Sequence, residues 1–99
     1  MYARVTTVRI PSSAITDEAI DDARGLMPAV SQMAGHRGAI WLVSRDSGLG
    51  VAVDLYEHID DLTNTSQGDL RDALLAEMGA ELVSVEEFEV AGMDRVFPT

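Results

Sequence analysis

Gly38-Ala39-Ile40-Trp41-Leu42-Val43-Ser44-Arg45-Asp46-Ser47-Gly48-Leu49-Gly50-Val51-Ala52-Val53-Asp54-Leu55-Tyr56 is the stretch that decides the fold. Two runs rich in β-branched and aromatic residues flank Asp46-Ser47-Gly48, a polar triplet ending in glycine. That pattern predicts a hairpin with strands over 38–45 and 49–57, joined by a type I turn with a bulge. A three-residue connection pairs Arg45 with Leu49 and so sets the register. One face then carries Ala39, Trp41, Val43, Val51, Val53 and Leu55. The other carries Ile40 and Leu42 with Gly38, Ser44, Gly50, Ala52, Asp54 and Tyr56. A sheet face turned to water is normally polar, and this second face is mixed, small and partly apolar. Two helices can cover only one side, so a second copy across a two-fold axis is the simplest cover for the other. The expected assembly is a homodimer.

Upstream, Tyr2 to Ile10 reads as a strand closed by Pro11. Thr16 can cap a helix whose first turn holds Asp17 and Glu18. Ile20, Ala23, Met27, Val30 and Ala34 recur at helical spacing, with a kink predicted near Gly25 from Pro28 and an end at Gly35. Downstream, Ile59 to Leu62 predicts a short helical turn and Thr63 to Gly68 an irregular stretch. Ser66 can cap a second helix that buries Leu70, Ala73, Leu74 and Met78 and stops at Gly79. Leu82 to Val90 is the last strand, and residues 92–99 form a C-terminal tail. The order β-α-β-β-α-β defines an α+β, ferredoxin-like fold with an antiparallel sheet in one domain, residues 1–99.

Charge and composition narrow the function. Seventeen acidic residues against seven arginines give a net charge of −10, which repels phosphate backbones, so nucleic acid is not an expected partner. No stretch is long or apolar enough for a membrane span, and the polar alternation of the first ten residues is unlike an export signal. There is no cysteine, hence no disulfide, thiolate metal site or cysteine nucleophile. A cytoplasmic location is the expectation. The third strand lacks the stacking aromatics of an RNA-recognition sheet.

Two short motifs carry a family likeness. Met33-Ala34-Gly35-His36-Arg37-Gly38 resembles the turn after the first helix of the antibiotic-biosynthesis monooxygenase-like family of dimeric α/β barrels. Tyr56-Glu57-His58-Ile59-Asp60-Asp61-Leu62 resembles that family's segment after the third strand. Element order extends the likeness over nearly the whole chain. His36 replaces the usual aromatic, and His58 the usual small polar residue. The resemblance implies a dimeric α/β barrel and an oxygenase that uses neither metal nor flavin on a small aromatic or polyketide-like compound. The alternative is a non-catalytic dimeric small-molecule-binding or stress-response module of the same fold. Haem-degrading relatives need a histidine on the second helical segment, where this chain has Thr63-Asn64-Thr65. No cofactor is therefore expected.

The predicted register brings His36 opposite His58 at the open end of the hairpin, beside Tyr56 and Asp54. Such a cluster can bind and deprotonate a phenolic or enolic compound, because an imidazole titrates near neutral pH. His58 and Tyr56 are the expected catalytic pair, and His36, Asp54, Trp41 and Arg4 the expected substrate contacts; no metal ligand set is assigned. Trp41 also suits the core, and Arg4 a cross-strand ion pair. Met27, Met33 and Met78 can serve as core filler or as an adaptable pocket wall.

Overall fold

The computed structural model describes residues 1–65 and 67–94. Strand β1 (Tyr2–Arg9) leads through a 3-10 turn to α1 (Asp17–Gly25) and α2 (Met27–Ser31). The hairpin follows as β2 (His36–Val43) and β3 (Leu49–Tyr56), then α3 (Ile59–Asn64), α4 (Gln67–Met78) and β4 (Glu81–Glu89). The sheet order is β2-β3-β1-β4, with every neighbouring pair antiparallel. This is the ferredoxin-like arrangement that the hairpin and the order of elements predict.

Local chemistry explains most of the boundaries. The Ala19 amide donates to Thr16 Oγ1 (3.1 Å), capping α1 as expected. Pro28 does more than kink the helix. The chain breaks at Leu26, and Pro28 falls in the first turn of α2, where its missing amide costs no intrahelical bond. Gly35 takes φ +74°, a left-handed conformation that reverses the chain into β2. A Cβ there would overlap the carboxylate of Asp61 on α3, so glycine also permits the close approach of that helix. The proposed Ser66 cap and most of the C-terminal tail, residues 95–99, lie outside the described residues.

The hairpin register differs from the sequence expectation by one residue. Ser44 closes the turn by donating its amide to the Leu49 carbonyl (2.8 Å), and Gly48 donates to Ser44 (2.9 Å). The connection is thus the four residues Arg45 to Gly48, with Gly48 at φ +76°. Two hydroxyls stabilise it: Ser44 Oγ accepts from the Ser47 amide, and Ser47 Oγ from the Leu49 amide (both 3.3 Å). Trp41 now pairs with Ala52, Val43 with Gly50, and Ile40 with Val53. A one-residue slip turns one strand over relative to the other, so the two expected faces are re-sorted. Near His36 the register shifts again at a bulge, and His36 pairs with Tyr56. The expected pairing of His36 with His58 is therefore corrected.

The helix-covered face now reads as large against small. Ala39, Trp41 and Val43 lie beside Asp54, Ala52 and Gly50, then Arg4, Thr6 and Val8 of β1. The opposite face is more apolar than the expected one: Ile40 and Leu42 beside Val53 and Val51, then Leu55, Val5 and, across Ala3, Phe88. Leu42 is 54% exposed and Phe88 48%. Among the described residues the buried apolar side chains are Ala3, Ile15, Val30, Tyr56 and Leu62, a thin core for this length of chain.

Candidate functional site

The small residues on the covered face open a cavity. Trp41 stands over Ala52 and Val43 over Gly50, and neither partner fills the space beneath α1, α2 and α4. The resulting cavity, about 280 Å³, is walled by Ile20, Met27, Val30, Trp41, Leu74 and Met78. Thr6 contributes a hydroxyl from the sheet, and Arg24 and Arg71 lie on the helix side. Its size is at the lower end of ordinary ligand sites, roughly 300 Å³ and above, which suits a compact molecule of a few rings. A shallower cleft runs between α2 and the outer edge of β2, lined by Pro28, Ser31, His36 and Ala39. Cavity and cleft share Arg24, Met27, Val30 and Trp41, so the two spaces adjoin along the indole.

Behind the indole lies a buried polar cluster. Asp54 has no exposed surface. His36 Nε2 is 3.1 Å from its Oδ1, and Trp41 Nε1 donates to its Oδ2 at 3.4 Å. The His36 side chain is only 4% exposed. Its ring meets Tyr56 edge to face, with centroids 5.3 Å apart and planes at 85°. The Tyr56 phenol lies 3.2 Å from Thr65 Oγ1, and that hydroxyl donates to Met33 Sδ at 3.0 Å. Burial pushes the Tyr56 phenol above its ordinary pKa; the Thr65 hydrogen bond opposes that, Asp54 adds to it, and Arg4 opposes it weakly. Tyr56 is therefore a neutral phenol throughout the physiological range.

The other expected site residues are placed as follows. His58 is exposed at the start of α3, where its backbone carbonyl accepts from the Asp61 amide (3.1 Å) and Asp61 Oδ2 accepts from its backbone amide at 3.2 Å. Neither His58 nor Tyr56 is among the side chains that wall the cavity or the cleft. Arg4 is level with Asp54 in the sheet but reaches the Leu62 carbonyl of α3 (2.8 Å) and Glu87 of β4 (3.3 Å). The cross-strand ion pair thus exists, toward β4. Met27 and Met78 line the cavity, while Met33 is engaged by Thr65. Thr6 escaped sequence reading, because in Thr6-Thr7 nothing local says which threonine faces inward. No group of three His, Asp or Glu among the described residues is arranged to hold a metal ion. No described helix is long and apolar enough to cross a membrane.

The fold is similar to that of solved structures named as monooxygenases. Over 98% of its length the chain superposes on a proposed antibiotic biosynthesis monooxygenase from Deinococcus radiodurans, covering 99% of that chain with a TM-score of 0.65 at 10% identity. A monooxygenase from the ActVA-Orf6 gene of Streptomyces coelicolor, solved with nanaomycin D, superposes over 99% of this chain and 92% of its own (TM-score 0.64, 15% identity). Rv0793 of Mycobacterium tuberculosis is a more distant match, with a TM-score of 0.52 over 98% of this chain and all of its own, at 19% identity. At these identities the likeness is one of fold. In sequence, the chain is similar to the uncharacterised proteins MT2634 and Rv2557 of two Mycobacterium tuberculosis strains, each 36% identical over 98 residues. Those residues are 96% of this chain and 43% of either relative, so the chain spans less than half the length of the curated relatives it matches. No family model matches the chain.

Proposed function

We propose that the chain is a small cofactor-independent, monooxygenase-like enzyme acting on a compact aromatic or polyketide-like compound held between the sheet and α1, α2 and α4. The observation that carries this reading is the apolar cavity with Trp41 on its wall and the buried His36–Asp54 pair directly behind the indole. The solved neighbours named as monooxygenases, one of them with nanaomycin D bound, support it through the shared fold. A phenol, quinol or anthrone would seat its rings on the indole and aliphatic walls, away from water. Once deprotonated, such a compound is electron-rich enough to react with dioxygen directly: one oxygen atom enters the product and the other leaves as water. The protein's share is to bind the rings, exclude water and favour the anion.

The same reading makes the chain a homodimer through its open sheet face. Ile40, Leu42, Val51, Val53, Leu55 and Phe88 form a continuous apolar surface wider than a single solvated sheet ordinarily shows, and the thin core of one protomer leaves that surface without a cover. The acidic charge keeps the assembly soluble and away from nucleic acid.

Dioxygen uptake with a panel of quinols and anthrones in metal-free buffer tests the reaction. Turnover that persists in the presence of chelator supports it; absence of uptake across the panel overturns it. A dimeric module that binds a small molecule without turning it over is the second reading. The almost wholly apolar wall of the cavity favours it, and it would show ligand binding without uptake.

A further inference from the structure

We propose that His36 is the proton acceptor of this site and that Asp54 is the residue that positions it. The ligand it serves carries an ionisable phenolic or enolic hydroxyl in the cleft between α2 and β2. The proposal rests on the cavity taking such a compound, and it reassigns the proton step from the hairpin end to the residues behind Trp41.

Three observations carry it. Asp54 is fully buried in the middle of the sheet, on a strand whose neighbouring positions on that face are Ala52 and Tyr56. A carboxylate in such a place needs hydrogen-bond donors, and His36 Nε2 and Trp41 Nε1 supply two. Trp41 Nε1 can only donate, and an ionised carboxylate can only accept, so the proton between His36 and Asp54 belongs on Nε2. That fixes the tautomer. Nδ1 then holds the lone pair, since the hydrogen bond of the ring to Asp54 runs through Nε2. Finally, His36 is one of the residues lining the cleft, next to the indole that also walls the cavity.

The step is a plain proton transfer. The ligand's O–H bond breaks, its electron pair stays on oxygen, and the proton forms a bond to Nδ1. The product is an imidazolium bonded to the Asp54 carboxylate beside a phenolate or enolate. Asp54 stabilises the imidazolium and holds the ring; it does not itself take the proton. Trp41 supplies the flat wall along which the ligand's ring lies, and its bond to Asp54 couples the position of that wall to the position of the base.

A phenol that cannot be oxidised further separates this step from the oxygenase reading. 1,8-Dihydroxyanthraquinone is such a probe, and its absorbance moves to longer wavelength on ionisation. Mixed with the full-length protein near neutral pH, it should bind and show the spectrum of its anion. His36→Gln should bind it with affinity of the same order but leave it neutral, and Asp54→Asn should bind it with the anion fraction reduced. A merely structural role for Asp54 would weaken binding without changing the bound spectrum, and that result, a neutral spectrum with the unaltered protein, or no binding, overturns the proposal. A second measurement needs no variant: nitrogen-15 NMR of the imidazole should show the proton on Nε2, and a proton on Nδ1 at rest contradicts it. An ionised probe with no dioxygen uptake on the substrate panel removes the oxygenase and keeps the base. Dioxygen uptake with a neutral bound probe removes the base and keeps the oxygenase.

Discussion

His36 Nε2 sits 3.1 Å from Asp54 Oδ1 although the two residues are not direct partners in the sheet: His36 pairs with Tyr56, and Asp54 with Ala39. The bulge at Arg37 allows the diagonal contact, because it turns His36 back onto the face that carries Asp54. The carboxylate and the ring are then sealed by the Trp41 indole and the edge of Tyr56. A buried cluster of this kind is sensitive to removal of any member, since the groups left behind cannot turn to water.

Asp54→Ala should therefore be among the most damaging substitutions on the covered face. It leaves the His36 and Trp41 N–H groups without their acceptor and opens a small void. The expected cost is roughly 2–4 kcal/mol, read as a lower midpoint in urea unfolding. Because Trp41 is the only tryptophan, its fluorescence should shift in the same variant as the indole loses its partner. Trp41→Phe, which keeps a ring in place, should cost less.

Tyr56 gives a pH signature. Its phenol ionises above the ordinary value of about 10 in the folded chain, chiefly through burial. The folded state then holds its proton where the unfolded state has lost it. Its contribution is full below about pH 10 and declines as pH rises toward the folded-state value. Near-ultraviolet absorbance should show one of the two tyrosines ionising late, and Tyr56→Phe should remove that late component while Tyr2→Phe leaves it.

Gly35→Ala should destabilise the turn between α2 and β2. The left-handed φ of +74° alone costs about 1 kcal/mol for a residue with a Cβ, and the added carbon runs into the Asp61 carboxylate. Asp61 would have to leave His58, uncapping α3. Thermal unfolding should fall by several degrees, and Gly35→Ala combined with Asp61→Ala should recover part of the loss if the collision is the cause.

Much of this was legible in the sequence, and what was missed depends mainly on the length of one turn and on one bulge. The β-α-β-β-α-β order and the Thr16 cap each rest on one local rule and appear where expected, whereas Pro28 opens a second helix where a kink is expected, and that helix stops at Ser31, before Gly35 reverses the chain. The hairpin register depends on whether three or four residues form the turn. That choice is made by the Ser44 and Ser47 hydroxyls, whose bonds to the loop amides the composition of the turn does not reveal. The one-residue slip re-sorts both faces. It places Trp41 over Ala52 and so creates the cavity, and it gathers Ile40, Leu42, Val51 and Val53 on the open side. His36, Asp54 and Tyr56 are identifiable from the sequence as neighbours at one end of the sheet, together with His58, whereas Trp41 is expected on the opposite face. Which of them pair was not legible, because a bulge at a single residue decides which imidazole meets the carboxylate.

The open face provides a test of assembly. Val53 lies at the centre of that face, between Ile40 and Val5. Val53→Glu places a charge where a second sheet would pack, and a buried unpaired carboxylate costs several kcal/mol. Sedimentation at micromolar concentration should show twice the chain mass for the unaltered protein and the single chain mass for the variant. A chain that sediments as a monomer before substitution contradicts the homodimer.

The most direct measurement of the proposed reaction follows the oxygen atom itself. Turnover of a responsive quinol or anthrone under heavy-oxygen-labelled dioxygen, in metal-free buffer, should give a product carrying one labelled atom from the gas and none from the solvent. A product labelled from water, or no product with any compound that binds the cavity, contradicts a cofactor-independent monooxygenase.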